Sequence, residues 1–392
     1  MLFRSTEDHI SEEAVRQSST CKLPAGSLLM VNRSGILRHS IPAAVITREM
    51  AINQDIRGCV PSIEVDSKFV VYLIEGNQPA LLALWRQQGA TVESLTFESV
   101  KTTNLHLPDP AEQATIAAFL DRETGRVDRL VAKKRELIER LKEKRTALIS
   151  STVTRGLPAE VAAKAGLPIN PPLKPSGTEW LGDIPEHWEV KKFGYISIVV
   201  RGASPRPAGD ARYFDGDFIP WITVGEVTKD EKVFLTETET MLTEEGAANS
   251  RTIRSGTLVL TNSGATLGVP KILAVAGCAN DGIVAFEGLS KAANKFFLYY
   301  YLRSLTENLR DRIKQGSGQP NLNTDIIKTL GVPFPSLLEQ TAIAVYLDKE
   351  TAKLDALVGK VAEAIERLQE YRTALITAAV TGKIDVREVV TP

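Results

Sequence analysis

A repeat within the chain is the feature that most constrains its fold. Residues 107–157 align on residues 334–384 at a shift of 227 without a gap, and about half of the aligned residues are identical. The similarity continues upstream, where Ser67–Phe69 falls on Asn294–Phe296 at the same shift. A period of this length is far longer than a solenoid repeat. The sequence therefore predicts a duplicated unit, in which a globular domain is followed by a long helix.

The repeated segments carry the spacing of coiled-coil helices. Apolar residues recur every seven positions, with a second apolar position three or four residues further on. Each helix is predicted to run for about 35 residues, or roughly 50 Å, and the long return path between them favours antiparallel pairing. The alternative is an ordinary amphipathic core helix. The predicted pairing residues are Val127, Leu130, Leu137, Leu141, Leu148, Leu354, Leu357, Val361, Leu368 and Leu375, with Val131, Ile138, Val358 and Ile365 widening the stripe.

The fold class that follows is α+β, with two globular domains and an antiparallel coiled coil. The first domain is shorter than the second, because nothing in it matches roughly residues 180–238. A truncation, a misassigned start and a natural variant remain open. The predicted segments are a first domain at 1–106, a first helix at 107–157, a Pro-rich extended linker at 158–179, a second domain at 180–333, a second helix at 334–384 and a tail at 385–392.

Composition excludes several classes of protein. A formal net charge of −1 argues against a globally basic nucleic-acid coat, although a local basic face is compatible with it. No apolar run is long enough to span a bilayer, and the first residues lack the apolar stretch of a signal peptide. The three cysteines, Cys21, Cys59 and Cys278, have no disulfide or zinc spacing. We expect a cytoplasmic protein.

The motifs that could carry catalysis are each incomplete. Asn170–Pro172 resembles the target-base loop of DNA amino-methyltransferases, but Leu173 stands where the stacking aromatic would be. Glu189–Lys191 resembles half of a nuclease site without a second carboxylate. Thr381–Lys383 lacks the upstream glycine of a phosphate-binding loop. The four histidines, His9, His39, His106 and His187, have no ligand spacing. The sequence predicts neither a catalytic site nor a metal site.

Polar loops in the second domain are better candidates for a function. The loops at 201–206, 261–266 and 314–323 are rich in the side chains that contact base edges and phosphates. Glycines among them would let the backbone approach a groove closely. The alternative is that they are ordinary polar turns. The candidate DNA-binding residues are Arg201, Ser204, Arg206, Tyr213, Asn262, Ser263, Thr266, Gln315, Ser317, Gln319 and Asn321, together with Asn32 and Arg33 of the first domain.

Several of these motifs resemble those of the specificity subunits of type I restriction-modification systems. They are Ile184–Val190 at the opening of the second domain, Gly318–Leu322, and Glu339–Gln340 at the start of the second helix. The sequence Arg-Thr-Ala-Leu-Ile, at 145–149 and again at 372–376, completes the resemblance. It covers nearly the whole chain and departs from the family in the shortened first domain.

The resemblance implies a non-catalytic subunit. Each of its two target-recognition domains would read one half of a split sequence in double-stranded DNA, and the coiled coil would set the distance between the halves. Two methylation subunits would bind the helices, and restriction subunits would join the complex. S-adenosylmethionine, ATP and Mg²⁺ would belong to those partners. Two other readings remain open, namely a coiled-coil adaptor without DNA specificity and a nucleic-acid-processing enzyme. The target sequence, and whether one or two half-sites are read, stay undetermined.

Overall fold

The computed structural model describes residues 2–18, 20–87, 92–313 and 321–387. The chain divides into two compact units, a first unit of residues 1–138 with 359–392 and a second unit of residues 139–358. Within the described ranges, no helix is both long enough and apolar enough to cross a membrane.

The first unit contains a small sheet with short helices and parts of two long helices. Its main sheet has the strand order β1-β4-β3-β6, in which β1 is parallel to β4 and the other pairs are antiparallel. Strands β2 and β5 form a separate pair. The elements are β1 (Leu2–Phe3), α1 (Glu12–Gln17), β2 (Lys22–Leu23), β3 (Leu28–Val31), β4 (Ala43–Ile46), β5 (Met50–Ala51), β6 (Ile56–Cys59), α2 (Ser67–Gly76), α3 (Gln78–Trp85), α4 (Phe97–Thr102) and α5 (Pro110–Arg155), with a 3-10 turn at Gly35–Arg38.

The second unit is larger and holds two main sheets, of order β10-β18-β15-β16-β12 and β13-β11-β17-β14. Its elements are α6 (Ala159–Lys164), β7 (Leu173–Pro175), β8 (Asp183–Pro185), β9 (Glu189–Lys192), α7 (Phe193–Ile196), β10 (Ile198–Arg201), α8 (Ala211–Phe214), β11 (Ile219–Ile222), α9 (Val224–Thr228), β12 (Phe234–Leu235), β13 (Met241–Leu242), α10 (Glu244–Ala248), β14 (Arg251–Ile253), β15 (Leu258–Thr261), β16 (Pro270–Leu273), β17 (Gly277–Ala279), β18 (Ile283–Glu287), α11 (Lys295–Ser304), α12 (Thr306–Asn308), a π-helical turn (Leu309–Ile313), α13 (Thr324–Thr329), β19 (Gly331–Phe334) and α14 (Leu337–Val380).

The two units share one strand arrangement, which confirms the predicted α+β duplication. Strands β4, β3 and β6 repeat β16, β15 and β18, with the same antiparallel pairings. Strand β1 lies parallel to β4 as β12 lies parallel to β16. The counterpart of β1 is therefore Phe234–Leu235, so the part of the second unit without a match ends at residue 233 and not near 238 as predicted.

A buried glutamine fastens each domain to its long helix through the same contacts. In the second unit, Gln340 Oε1 accepts a hydrogen bond from the Asn294 N–H (2.7 Å). Its Nε2 donates to the carbonyls of Ala292 (3.0 Å) and Pro335 (2.9 Å). Gln113 of the first unit makes the corresponding contacts with the residues Asp66, Glu64 and Pro108.

These contacts also correct the sequence alignment. Asp66 and Asn294 occupy the same position, because each receives the glutamine bond and caps the helix that follows, α2 or α11. The predicted alignment of Ser67 with Asn294 was therefore wrong by one residue. A one-residue difference in the segment between this helix and the long helix accounts for the change of offset from 227 to 228.

The long helices extend further than the predicted 35 residues. Helices α5 and α14 have 46 and 44 residues, which at 1.5 Å per residue is about 65–70 Å each. Asp109 caps α5 by accepting hydrogen bonds from the N–H groups of Ala111 and Glu112, which are otherwise unpaired at a helix start. Gly156 follows the last residue of α5 with φ of 90°, a conformation that stops a helix and favours glycine.

Within each unit, the segments of α5 and α14 run antiparallel. In the first unit, Val127 and Val131 form a cluster with Val361 and Ile365, and Arg372 pairs with Asp128 at 3.0 Å. In the second unit, the matching pair is Arg145 with Asp355, also at 3.0 Å. Farther along, Ile149 and Val153 share a core with Ile343 and Leu347. The predicted antiparallel pairing is confirmed.

Three of the predicted pairing leucines are not in the seam. Leu130, Leu137 and Leu357 are 43%, 42% and 43% exposed, whereas Val131 and Ile365 are 7% and 8% exposed. The second seam position lies four residues after the first and not three. Because consecutive residues of a helix are about 100° apart, a leucine at the third position points about 100° away from the seam residue at the fourth. Among the other predicted residues, Val127, Leu141 and Val361 are buried, and Leu148, Leu354, Leu368 and Leu375 are half-buried.

One further segment differs from its prediction. The predicted extended linker at 158–179 contains α6 and β7, and β7 pairs with β8. The alanine-rich run after Pro158 explains the helix, since alanine has the highest helix propensity.

Candidate nucleic-acid interface

The turn at 280–282, between β17 and β18, is the centre of the candidate interface. The loop that follows β10 lies directly on it: the Gly202 N–H donates to the Ile283 carbonyl, and the Ala203 N–H donates to the Ala279 carbonyl, both at 2.9 Å. A Cβ at Gly202 would lie 2.1 Å from the Asn280 carbonyl oxygen. Glycine is therefore required for this close approach.

Asp281 gathers three of the predicted DNA-binding residues around this turn. Its carboxylate accepts a hydrogen bond from the Ser204 hydroxyl (2.8 Å) and pairs with the Arg206 guanidinium (3.4 Å). Its backbone carbonyl accepts a hydrogen bond from Arg201 Nε (2.6 Å). Ser250 Oγ holds the same loop from the other side, by donating to the Ala203 carbonyl (2.6 Å). The result is a fixed, polar surface carrying two guanidinium groups and one carboxylate.

A second loop meets the same turn through Asn262. The Asn262 N–H donates to the Gly282 carbonyl (2.9 Å), and the Asn262 carbonyl accepts from the Leu322 N–H (2.8 Å). Its Nδ2 also donates to the Leu322 carbonyl (3.2 Å). Ser263 and Asn321 pair as an isolated β-bridge. The structure thus joins the loops at 201–206 and 262–266 and residues 321–323 around one turn.

Asn262 requires a correction, because it is fully buried. A side chain without exposed surface cannot contact a base, so its role in this conformation is to hold two loops together. Among the described residues, neither Asn262 Oδ1 nor Asn321 Oδ1 has a hydrogen-bond partner, although both atoms are buried. Asn321 follows the segment 314–320 directly in the sequence. The predicted contact residues Gln315, Ser317 and Gln319 fall in that segment, outside the described residues.

The surroundings of Tyr213 and Thr266 differ from those of the candidate residues at the 280–282 turn. Tyr213 lies on α8, which packs against α10, and the Thr243 N–H donates to the Tyr213 carbonyl (3.1 Å). Its neighbour Arg212 forms hydrogen bonds that lower the pKa of Asp210. Thr266 is exposed, and its carbonyl accepts from the Thr261 hydroxyl (2.8 Å). Among the residues that the structure describes, Tyr213 makes no hydrogen bond with the 280–282 turn.

The first unit builds the same turn from residues 53–55. The Asn32 N–H donates to the Asp55 carbonyl (2.8 Å), as Asn262 does to Gly282. Arg33 is exposed and forms an isolated β-bridge with Ser94, which repeats the bridge of Ser263 with Asn321. Both predicted residues of the first unit, Asn32 and Arg33, therefore sit at the position that corresponds to the 262–263 loop.

Sequence reasoning missed Asp281 and Arg57. Arg57 lies on β6, its Nε donates to Asn32 Oδ1 (3.4 Å), and its guanidinium stacks 4.5 Å from the Phe97 ring centre. The signal for Asp281 was the Asn280–Gly282 turn sequence before an apolar strand. The signal for Arg57 was a single charged residue in an otherwise uncharged strand.

The residues of the incomplete catalytic motifs are placed as follows in the second unit. Glu189 pairs with Lys191 (3.3 Å) on β9, and His187 Nε2 lies 3.0 Å from Glu339 Oε2 at the start of α14. Asn170 has a positive φ of 46° in the segment between α6 and β7. In the part of the chain that the structure describes, no group of three or more His, Cys, Asp or Glu side chains could hold a metal ion.

Comparison with known proteins identifies this architecture. The family described as the type I restriction modification DNA specificity domain matches residues 3–140 and 185–367. The specificity subunit of the type I restriction enzyme EcoR124I/EcoR124II from Escherichia coli is 32% identical over 121 residues, which cover 31% of this chain and 30% of that protein. The MjaIX specificity subunit from Methanocaldococcus jannaschii is 33% identical over 174 residues, 43% of this chain and 38% of that protein. The chain thus spans about a third of the length of these two relatives.

Two solved structures share the fold. A chain from a structure of the type I R-M system superimposes with a TM-score of 0.66 at 18% identity, covering 92% of this chain and 82% of that one. The HsdS subunit from Thermoanaerobacter tengcongensis gives a TM-score of 0.52 at 18% identity with the same coverage.

Proposed function

Because this chain belongs to the type I restriction modification DNA specificity domain family, we propose that it is the DNA-recognition subunit of a type I restriction-modification complex. It reads the target sequence and carries no catalytic site of its own. Methyl transfer and cleavage are performed by methylation and restriction subunits, which hold S-adenosylmethionine, ATP and Mg²⁺. The complex acts in the cytoplasm on double-stranded DNA.

The observation that carries this proposal is the recurrence of one loop arrangement in both units. In each unit an asparagine, Asn32 or Asn262, directly follows strand β3 or β15, and its N–H donates to the turn that precedes strand β6 or β18. Each unit then presents polar side chains beside that turn. Side chains of this kind read base edges when a rigid scaffold holds them. Two such surfaces on one chain support the reading of a target in two halves.

The long helices support the remaining part of the proposal, which is assembly. Leu130 of α5 and Leu357 of α14 occupy the same position in the repeat, and both are 43% exposed. Apolar side chains left outside a coiled-coil seam are suited to contact another subunit. Two equivalent positions favour two copies of the same partner, as expected for a pair of methylation subunits.

Arg206 provides the test of the proposed interface. Arg206→Ala should weaken binding to the preferred duplex by about 1–3 kcal/mol, if its guanidinium makes a bidentate contact with a guanine. Binding would be measured by fluorescence anisotropy with the full chain and a duplex selected from a random-sequence pool. Arg367→Ala, which removes an exposed arginine of α14, is the matched control and should leave affinity unchanged. Equal affinity and equal sequence preference for the Arg206→Ala variant would remove this loop from the site.

A further inference from the structure

A carboxylate lies in the middle of the proposed DNA-reading surface of the second unit. The Asp281 side chain is 45% exposed, and it sits on the turn that joins the three polar loops. DNA presents phosphates to this surface, and like charges repel over the roughly 10 Å Debye length at 0.1 M salt. A carboxylate here therefore opposes the binding of DNA in general, and its presence calls for a specific role.

The turn itself does not need this carboxylate. In the second unit, the Gly282 N–H donates to Asn280 Oδ1 and the Ile283 N–H donates to the Asn280 carbonyl. In the first unit, the Asp55 N–H donates to Asn53 Oδ1 and the Ile56 N–H to the Asn53 carbonyl. These bonds are the same, and they all come from the asparagine and the backbone.

The residue at the tip of the turn differs between the units. Gln54 of the first unit, which is exposed, stands where the second unit has Asp281. Among the described residues, the first unit has no loop on its turn that corresponds to the Arg201–Arg206 loop. The turn forms in both units, but the carboxylate at its tip is present in the unit that also has the two arginines.

We propose that Asp281 is a specificity-determining residue, which restrains Arg206 from binding phosphates of arbitrary sequence. This inference rests on the proposed function. The pair engages one amino group of the Arg206 guanidinium (3.4 Å). A bidentate contact with DNA through this group breaks the pair, which leaves an unpaired carboxylate close to phosphates. A target that presents a cytosine amino group to Asp281 satisfies the carboxylate, since aspartate accepts from cytosine N4. Other sequences leave it unpaired.

The test is Asp281→Asn, which keeps an acceptor for the Ser204 hydroxyl and removes the charge. With the full chain and a duplex of arbitrary sequence, affinity should rise about three- to tenfold at low salt, as Arg206 gains a phosphate. The slope of log affinity against log salt should steepen by about 0.9, the value for one added phosphate contact. Affinity for the selected duplex should fall or stay constant, so the ratio of specific to arbitrary binding decreases.

Two controls separate this effect from a change of net charge or of fold. Glu189→Gln removes one exposed carboxylate that also has a cationic partner, Lys191, and should alter neither the affinity nor the slope. In an Arg206→Ala background, Asp281→Asn should no longer steepen the slope, because the arginine that would gain the phosphate is absent. Asp281→Gln introduces the residue that the first unit has at this position. If the Asp281→Asn variant does not fold, Asp281→Gln takes its place in the test, and the same changes in affinity and salt slope are expected of it.

Failure of this inference is distinct from failure of the proposed function. A wild-type chain that selects no sequence from a random duplex pool overturns the proposed function. A wild-type chain that selects a sequence, with unchanged arbitrary-sequence affinity and salt slope in both Asp281 variants, overturns only the role of Asp281. If Glu189→Gln increased the affinity for arbitrary-sequence DNA by the same factor, the effect would be explained by net charge alone. That result would also overturn the role of Asp281.

Discussion

Replacing Gln340 with leucine should lower the free energy of unfolding of the second unit by about 3 kcal/mol or more. The glutamine is fully buried, and its removal leaves the half-buried Asn294 N–H and the buried Pro335 carbonyl without partners, whereas the carbonyl of the exposed Ala292 can bind water instead. Each unsatisfied buried group costs about 1–3 kcal/mol. The same substitution at Gln113 should destabilise the first unit in the same way, because its contacts are the same.

Urea unfolding followed by tryptophan fluorescence measures this loss. Trp180, Trp188 and Trp221 lie in the second unit and report on it, whereas Trp85 lies in the first. Gln369→Leu is the matched control, since Gln369 is exposed on the same helix and its substitution should change stability little. A Gln340→Leu variant as stable as the wild type would show that these hydrogen bonds do not hold the domain to its helix.

Deleting residues 134–140 together with 361–367 should shorten the gap between the two halves of the DNA target. One heptad is removed from each helix, so the seam positions at intervals of seven stay in phase. Each helix loses about 10 Å. At ~3.4 Å per base pair, the gap should decrease by up to about three base pairs while the sequence of each half stays the same.

Sequencing of duplexes selected from a random pool measures this gap. Leu137→Ser is the length-neutral control, because Leu137 is exposed and outside the seam; its gap should equal that of the wild type. A folded deletion variant that selects the original spacing would show that the helices do not set the distance. The prediction applies to a chain whose two units both read DNA.

The fold was predictable to the extent that it is periodic. The heptad spacing of Val127 and Val361 predicted the paired helices, since a buried stripe must recur with the helix turn. The choice between Leu130 and Val131 was not predictable, because leucine and valine are both apolar and only the packed partner decides which one is buried. The alignment near Asn294 was wrong by one residue for a related reason: its role is a hydrogen bond to Gln340, which sequence similarity does not encode.

The loops of the candidate site were predictable from the sequence, but the contacts between them were not. Arg201, Ser204 and Arg206 were singled out by residue type, and the structure places all three at one turn. Asp281 was missed because it lies 75 residues from Arg206 in sequence, and only the pairing of β10 with β18 brings them together. Asn262 was predicted to contact DNA because of its type and loop. Its burial depends on Leu322 and Gly282, which come from other parts of the chain.

Selection from a pool of random-sequence duplexes, with the full chain and its methylation subunits, measures whether this chain recognises a DNA sequence. The bound duplexes should share a defined sequence, and Arg206→Ala should change the base preference at one position of that sequence. Bound duplexes that are no more alike than the starting pool would contradict the claim that this chain recognises DNA sequence.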